Sequence, residues 1–398
     1  LIRRFFIAVG LSWYGDWLST VALVVVLYQL TGNPAGPAGY MLARVAPRVV
    51  GPWIGGNLAD QLSPRRIMVS GAALQGVLTL SLVWSHRAGA MWGIYAAVAT
   101  AQFVGALSRP SNVAMIPSLV PDGKLPRANA TYGLLISTSI FVGPAIGAGL
   151  LLKVGPDALF AIDAGTFLFS ALLAMTLPSG RQAEQAAGPG PRRGSAFGID
   201  GIVDALRQRE VRMVAVANFG SGVTVTVTQA LLVVAARERF GGDAAVGYLY
   251  AAAGLGSTVG GLLALRWAPR RALTRLAVFL AASLEIVAIV GFSVLTAIFI
   301  ALALLALSSA SASSFEIWGS TEVQRRAPPG FMARFNGVAF LAMYAGMLIG
   351  ALWALGTSAL LPWDHAIQIA CAATLLLVAI TWTVDRVGAP TPGVKEEP

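Results

Sequence analysis

Two stretches of this chain are near-copies of each other. Residues 55–66 read GGNLADQLSPRR and residues 260–271 read GGLLALRWAPRR. Seven positions coincide without a gap: Gly55/Gly260, Gly56/Gly261, Leu58/Leu263, Ala59/Ala264, Pro64/Pro269, Arg65/Arg270 and Arg66/Arg271. The offset is 205 residues, about half of the 398-residue chain. A second pair follows: PDGKLPRAN at 121–129 and PPGFMARFN at 328–336 share Pro121/Pro328, Gly123/Gly330, Arg127/Arg334 and Asn129/Asn336 at an offset of 207. Gly143 and Gly350 stand in the same register. A half-length duplication limits the chain to folds made of two like units.

Composition decides which folds those are. Charged residues make up 12% of the chain, hydrophobic residues 56%, and the mean hydropathy is +0.72. A soluble chain carries about 25% charged residues. About 20 apolar residues cross a bilayer core, and hydrocarbon tolerates only helices or closed barrels. Segments this long and apolar read as helices. Twelve spans are expected near 5–28, 37–60, 67–86, 90–110, 128–152, 157–177, 211–235, 244–265, 272–292, 294–317, 333–357 and 361–384. Thr224, Thr226 and Thr228 alternate as a strand would, but their apolar surroundings override that period. The expected fold is an all-α polytopic membrane protein with two pseudo-symmetric six-helix bundles at 1–177 and 211–384. A polar linker covers 178–210 and a tail 385–398. Two like bundles in a very apolar chain are the architecture of transporters.

The net charge of +10 does not form one patch, so a nucleic-acid partner is not expected. Of 28 Lys and Arg, only Arg87, Lys153, Arg237 and Arg239 fall in segments that are external if both termini are cytoplasmic, and Arg44 and Arg48 lie within the second span. The other 22 are then inside, as the positive-inside rule asks. A multi-pass protein of a bacterial inner (plasma) membrane is the expectation. The first apolar run is too long for a cleavable signal. Cys371 is the single cysteine and reads as packing. His86 and His365 lie near external loops, with no metal-ligand cluster, P-loop or nucleophile elbow. Enzymatic and ATP-driven functions, and any cofactor, are not expected.

Ionisable residues inside spans are functional candidates by default. Asp16 is mid-helix in span one and Arg48 mid-helix in span two. At about 1.5 Å per residue both reach the bilayer centre, where a salt bridge is expected. That pair either fixes helix packing or carries a proton on Asp16 with Arg48 tuning it. Arg44, one turn away, is expected to snorkel outward. Asp163 in span six is either a structural hydrogen-bond partner or a proton-coupling group, and Glu285 in span nine is either structural or has a transport role. Glu316, at the end of span ten, aligns with Arg109 of span four at offset 207. The two either pair across the cytoplasmic mouth or leave Glu316 as a surface carboxylate.

Gly56-Asn57-Leu58-Ala59-Asp60 followed by Arg65-Arg66 resembles the loop 2–3 signature of the major facilitator superfamily, G-x-L-A-D-x-x-G-R-R, with Gln61 and Ser63 departing from it. The likeness covers the whole chain. Residues 15–32, 44–60 and 119–130 further resemble the enterobactin-exporter and macrolide-efflux branch of drug:proton antiporters. Gly143-Pro144-Ala145-Ile146-Gly147-Ala148-Gly149 is similar to the antiporter motif G-P-x-x-G-G, with Ala148 in place of its last Gly. The helix-four Arg motif of drug antiporters has no good counterpart; Arg109 sits near that helix's cytoplasmic end instead.

The resemblance implies that the loop 2–3 motif latches the halves when the transporter faces outward. Asp60 at a helix C-terminus opposes the dipole and needs a cation or a helix N-terminus. Arg65, Arg66, Arg109, Arg334 and the start of helix eleven are at that level. Arg65 and Arg66 alternatively serve topology alone. The second copy has Leu265 in place of Asp60, so one such latch is intact. Ser63-Pro64 is expected to cap helix three.

The resemblance also implies a protein that works as a monomer, with a central path lined by helices one, four, seven and ten. Its candidates are Trp13, Asp16, Trp17, Gln102, Phe103, Asn218, Thr224, Gln229, Ser308, Ser309, Ser311, Ser313, Ser314, Phe315 and Trp318. Small residues also serve helix packing, and Trp also serves the interface. The leading expectation is export of amphipathic small molecules driven by protons. A siderophore or lysophospholipid exporter or flippase, and a non-transporting receptor or assembly partner, are the alternatives.

Overall fold

A computed structural model describes residues 1–121, 124–178, 203, 206–267, 274–326 and 332–387. Among these residues the regular structure is helical. The helices are α1 (Ile2–Thr31), α2 (Ala35–Gln61), α3 (Pro64–Arg87), α4 (Met91–Met115), one long element Leu125–Met175, α7 (Arg209–Arg239), α8 (Asp243–Arg266), α9 (Thr274–Val294), α10 (Ile298–Arg326), α11 (Met332–Thr357) and α12 (Trp363–Val387). The long element bends at Gly155, where φ is 77°. That left-handed backbone suits glycine, and Pro156 has no N–H to continue the helix. The bend divides it into α5 (125–154) and α6 (156–175). Among the described residues ten stretches are apolar and long enough to cross a membrane, and one of them is Thr131–Met175, which holds both α5 and α6. The expected linker falls almost wholly outside the described residues, as does most of the tail.

The repeat reappears as packing. A Cβ on Gly51 of α2 would overlap Ala106 of α4, and a Cβ on Gly256 of α8 would overlap Ala306 of α10. The two glycines are 205 residues apart. In the same way Gly143 of α5 lies against Trp17 and Tyr14 of α1, so that a Cβ on Gly143 would stand only 2.6 Å from the Cβ of Trp17. Its repeat partner Gly350 of α11 packs on α7, where an added Cβ would stand 2.6 Å from the Val223 carbonyl oxygen. Gly147 meets the Leu18 carbonyl. Small residues let helix backbones approach where no hydrophobic force draws helices together. The G-P-x-x-G segment is thus the seam between α1 and α5.

α3, α6, α9 and α12 carry exposed apolar stripes: Val77, Leu80 and Trp84; Leu168 and Leu172; Leu280, Leu284 and Val287; Leu376 and Ile380. Their three- and four-residue spacing puts each set on one helix face. Patches this large mark a lipid-facing surface. The inner helices are left to line whatever path the protein has.

The two ends differ. At the end away from the termini, one apolar cluster joins both halves. It takes in Leu18–Leu27 of α1, Tyr40 and Met41 of α2, Val227–Ala236 of α7, Leu249 of α8 and Trp363 of α12. Arg237 of α7 also stacks on Tyr28 of α1 across the halves at 4.6 Å. At the termini end the described apolar clusters stay within one half each, around Phe5 and Met115 in the first and around Val211 and Phe315 in the second.

The α1–α5 seam is tested by Gly147→Val and Gly149→Ala, since nothing lies within 4 Å of a Cβ on Gly149. Overpacking costs about 1–3 kcal/mol. Gly147→Val is expected to lower the thermal unfolding midpoint of the purified protein by several degrees, and Gly149→Ala to leave it unchanged. Equal midpoints for the two would remove the seam from the account.

Candidate functional site

Asp16 is the centre of a polar network inside the first half. Arg44 Nη2 donates to its Oδ2 at 2.7 Å, and Arg48 Nη2 approaches the same oxygen at 3.4 Å. Gln102 Nε2 donates to Oδ1 at 2.8 Å. Gln102 Oε1 accepts from Arg48 Nε at 2.8 Å and also from Nη2. Arg44 Nη1 donates to the Tyr40 hydroxyl at 2.7 Å, which lies 3.1 Å from Thr20 Oγ1. The guanidinium of Arg44 stacks on Trp17 at 4.2 Å. The expected Asp16–Arg48 contact is therefore present as the longer of two.

The expectation that Arg44 snorkels outward is wrong. Its side chain is 2% exposed and makes the shorter bond to Asp16. Tyr40, Arg44 and Arg48 recur every four residues and so share one face of α2. That face turns toward α1 and α4. The four-residue spacing is itself a sequence signal for this shared face.

Asp163 of α6 is buried next to this network. Its Oδ2 accepts from Ser19 at 2.6 Å, while Oδ1 has no hydrogen-bond partner among the described residues. Gly15 makes the approach possible, because a Cβ there would lie 2.6 Å from Oδ1. In the second half Glu285 is buried and accepts from Ser221 at 2.8 Å.

Arg109 donates to the hydroxyl of Tyr344 of α11, a polar link between the halves. Its guanidinium stacks on Trp13 at 4.7 Å and lies 5.7 Å from the Tyr344 ring. The structure does not bring it to Glu316, which is exposed on α10. Nothing in the sequence marks Tyr344, since its role depends on how the halves dock. Arg65 Nη1 donates to the Leu177 carbonyl at 3.1 Å, tying α3 to the end of α6. Arg66 is exposed. Ser63 occupies the N-cap of α3 with Pro64 following, but its side chain makes no capping bond, a departure from the expected cap. Gly56 and Asp60 lie in α2 and Arg334 in α11; their side chains are outside the described residues.

Trp13, Asp16, Gln102 and Arg109 line a chamber with Arg48, Gln75 and Asn112, walled by α1, α2, α3, α4 and α6. Trp17 is buried beneath Arg44. Phe103 and Gln229 are half-buried, and Asn218 is buried with its amide on the Val214 carbonyl at 2.9 Å. Phe315 and Trp318 are corrections to the expected cavity. Phe315 is 2% exposed in an apolar cluster with Met213 and Val278. Trp318 Nε1 donates to the Ala264 carbonyl of α8 at 3.1 Å. The serines of α10 serve packing too: Ser313 bonds Ser257, and Ser314 donates to the Gly260 carbonyl at 3.2 Å.

Lipid-facing outer helices, two glycine-matched bundles and a buried charge network between inner helices define a membrane transporter. The major facilitator superfamily model matches residues 5–351, and the chain belongs to that family. A multidrug efflux pump, Tap, of Mycobacterium tuberculosis is 26% identical over 204 residues, covering 48% of this chain and 47% of the relative. An MFS-type transporter of Sinorhizobium fredii, y4rN, is 26% identical over 351 residues, covering 83% and 82%. The first curated relatives are thus matched over less than half their length. Among solved structures, the nucleoside transporter NupG aligns with a TM-score of 0.74 at 12% identity, over 97% of this chain and 99% of that one. A D-xylose-proton symporter aligns at 0.72 and 14%, over 96% and 97%. At these identities the structures speak for the fold alone.

Removing one partner of a buried ion pair costs about 3–5 kcal/mol. Arg44→Leu is expected to lower the unfolding midpoint clearly more than Arg48→Leu, because Arg44 holds the shorter bond and the Trp17 stack. Calorimetry on both purified variants decides it, and a larger loss for Arg48→Leu would reverse the assignment.

Proposed function

We propose that the chain is a secondary exporter of amphipathic small molecules that works by proton-coupled alternating access. The observation that carries this reading is Asp16, a carboxylate midway along an inner helix and held by Arg44, Arg48 and Gln102. A proton on Asp16 removes the charge that draws Arg44 and Arg48 to α1. It also turns an acceptor into a donor, which Gln102 Nε2 cannot accept. Protonation therefore loosens α1 from α2 and α4 at the depth where the halves meet. Asp163, one hydrogen bond away from α1 through Ser19, is the second proton-coupling candidate. The efflux pump among the relatives supports export of varied compounds. The arginine-rich segments support a cytoplasmic placement of both termini in a bacterial inner membrane.

Gly56, Asp60, Arg65, Arg66 and Arg334 form the proposed latch that closes the termini end in the outward-facing state. Arg109 and Glu316 approach each other in that same closure. In the described conformation Arg65 and Arg109 have other partners, Leu177 and Tyr344.

Substrate-stimulated proton movement in proteoliposomes, with macrolides, tetracyclines and cationic dyes, tests the reading. Asp16→Asn is expected to fold normally and to reduce coupled proton movement to the level of protein-free vesicles. Full coupling in that variant would exclude Asp16 from the mechanism. Asp60→Asn is expected to shift the population away from the outward-facing state. Single introduced cysteines on each face report this, because the one native cysteine, Cys371, is buried. Unchanged labelling of both faces would count against the latch.

A further inference from the structure

We infer that the chamber beside Asp16 docks the acidic head group of a substrate with an aromatic body, with Arg48 and Arg109 as its cationic contacts. The inference rests on the export reading above and names the substrate class it selects. The chamber has a volume of about 80 Å³. A single water needs about 10–15 Å³ of such space, so the chamber admits an acidic head group together with water. Trp13 lines the same chamber with its ring against Arg109, and is the aromatic contact for the body of the ligand.

The charges lining the chamber do not balance. Asp16 is its one carboxylate, and Arg44 already holds that group from behind at 2.7 Å. Arg48 spends Nε and Nη2 on Gln102 and Asp16, and its Nη1 has no partner among the described residues. Its side chain is 10% exposed. Arg109 makes no ion pair among the described residues. Its hydrogen bond goes from Nη1 to a neutral phenol, which leaves Nε and Nη2 unused among the described residues. A guanidinium fork with free donors in a low-dielectric site is suited to bidentate contact with an anion. Gln75, also on the chamber wall, adds an amide donor. A cationic head group would meet two guanidiniums instead.

The test compares 2-naphthoate with its ring-matched cation, 2-naphthylmethylammonium, by calorimetric binding to the purified full chain in lipid nanodiscs. Naphthoate is expected to bind about tenfold or more tightly than the ammonium. Arg109→Gln is expected to erase that preference and Arg109→Lys to restore part of it. Equal or tighter binding of the ammonium to the wild type overturns the inference, as does absence of naphthoate binding at millimolar concentration. Both readings come from the wild type, so they hold even if the Arg109 variants fail to fold. A flux arm separates this inference from the export reading. Proton-coupled flux of cationic dyes that ignores Arg109→Gln would sink the docking site and leave export standing. Naphthoate binding that depends on Arg109, without coupled flux of any compound, would sink export and leave the docking site.

Discussion

The inner face of the first half is organised around keeping Arg44 charged within the membrane. Its side chain is 2% exposed, and a guanidinium cannot shed its proton in a protein. An isolated buried charge costs far more than a fold can bear. Three groups from two helices meet the need: the Asp16 carboxylate, the Tyr40 hydroxyl and the face of the Trp17 ring. Gln102 then ties α4 to the same carboxylate, and Ser19 carries the contact on to Asp163 in α6. One charge thus fixes the relative positions of four helices. A shift in any of them takes a hydrogen-bond partner from a polar atom of the network.

The second half uses the same backbone arrangement without that chemistry. Where the first half has Asp16, Arg44 and Arg48, α7 carries threonines that bond their own backbone, such as Thr224 to Gly220 and Thr228 to Thr224. Its buried acid, Glu285, meets a serine rather than a cation. The glycine seams are what the halves share. Gly51 and Gly256 pack on Ala106 and Ala306, and Gly143 and Gly350 close α5 on α1 and α11 on α7. Duplication has preserved the close helix contacts and let the charged chemistry concentrate in one copy.

This division explains what is legible in the sequence. Hydropathy reports the length of apolar runs directly, so the helices can be read from it, and the repeat discloses the two halves before any contact is known. Asp16, Arg48 and Gln102 are legible because a polar residue in an apolar run has few places to go. Arg44 is misplaced when depth is judged from distance along the helix alone and not from the face it shares with Tyr40 and Arg48. Helix number likewise puts Phe315 and Trp318 on the path, although adjacent residues on a helix point about 100° apart and only some face a path. The Arg109–Tyr344 link has no signal in the sequence. It joins residues 235 positions apart across two bundles whose docking no local pattern encodes.

α1 connects these features mechanically. Trp13 stacks on Arg109 near the polar link between the halves, Asp16 follows one turn later, and Leu18–Leu27 beyond it form part of the apolar plug at the far end. A conformational equilibrium moves only as far as a ligand's differential affinity for its two states allows. The plug is non-directional apolar contact, so it resists opening without specifying one geometry. The charge network is directional, and a single proton changes it. In the proposed mechanism the proton and the substrate need no contact with the plug. They change what holds α1 at its middle, and the residues that close the far end belong to the same rigid helix.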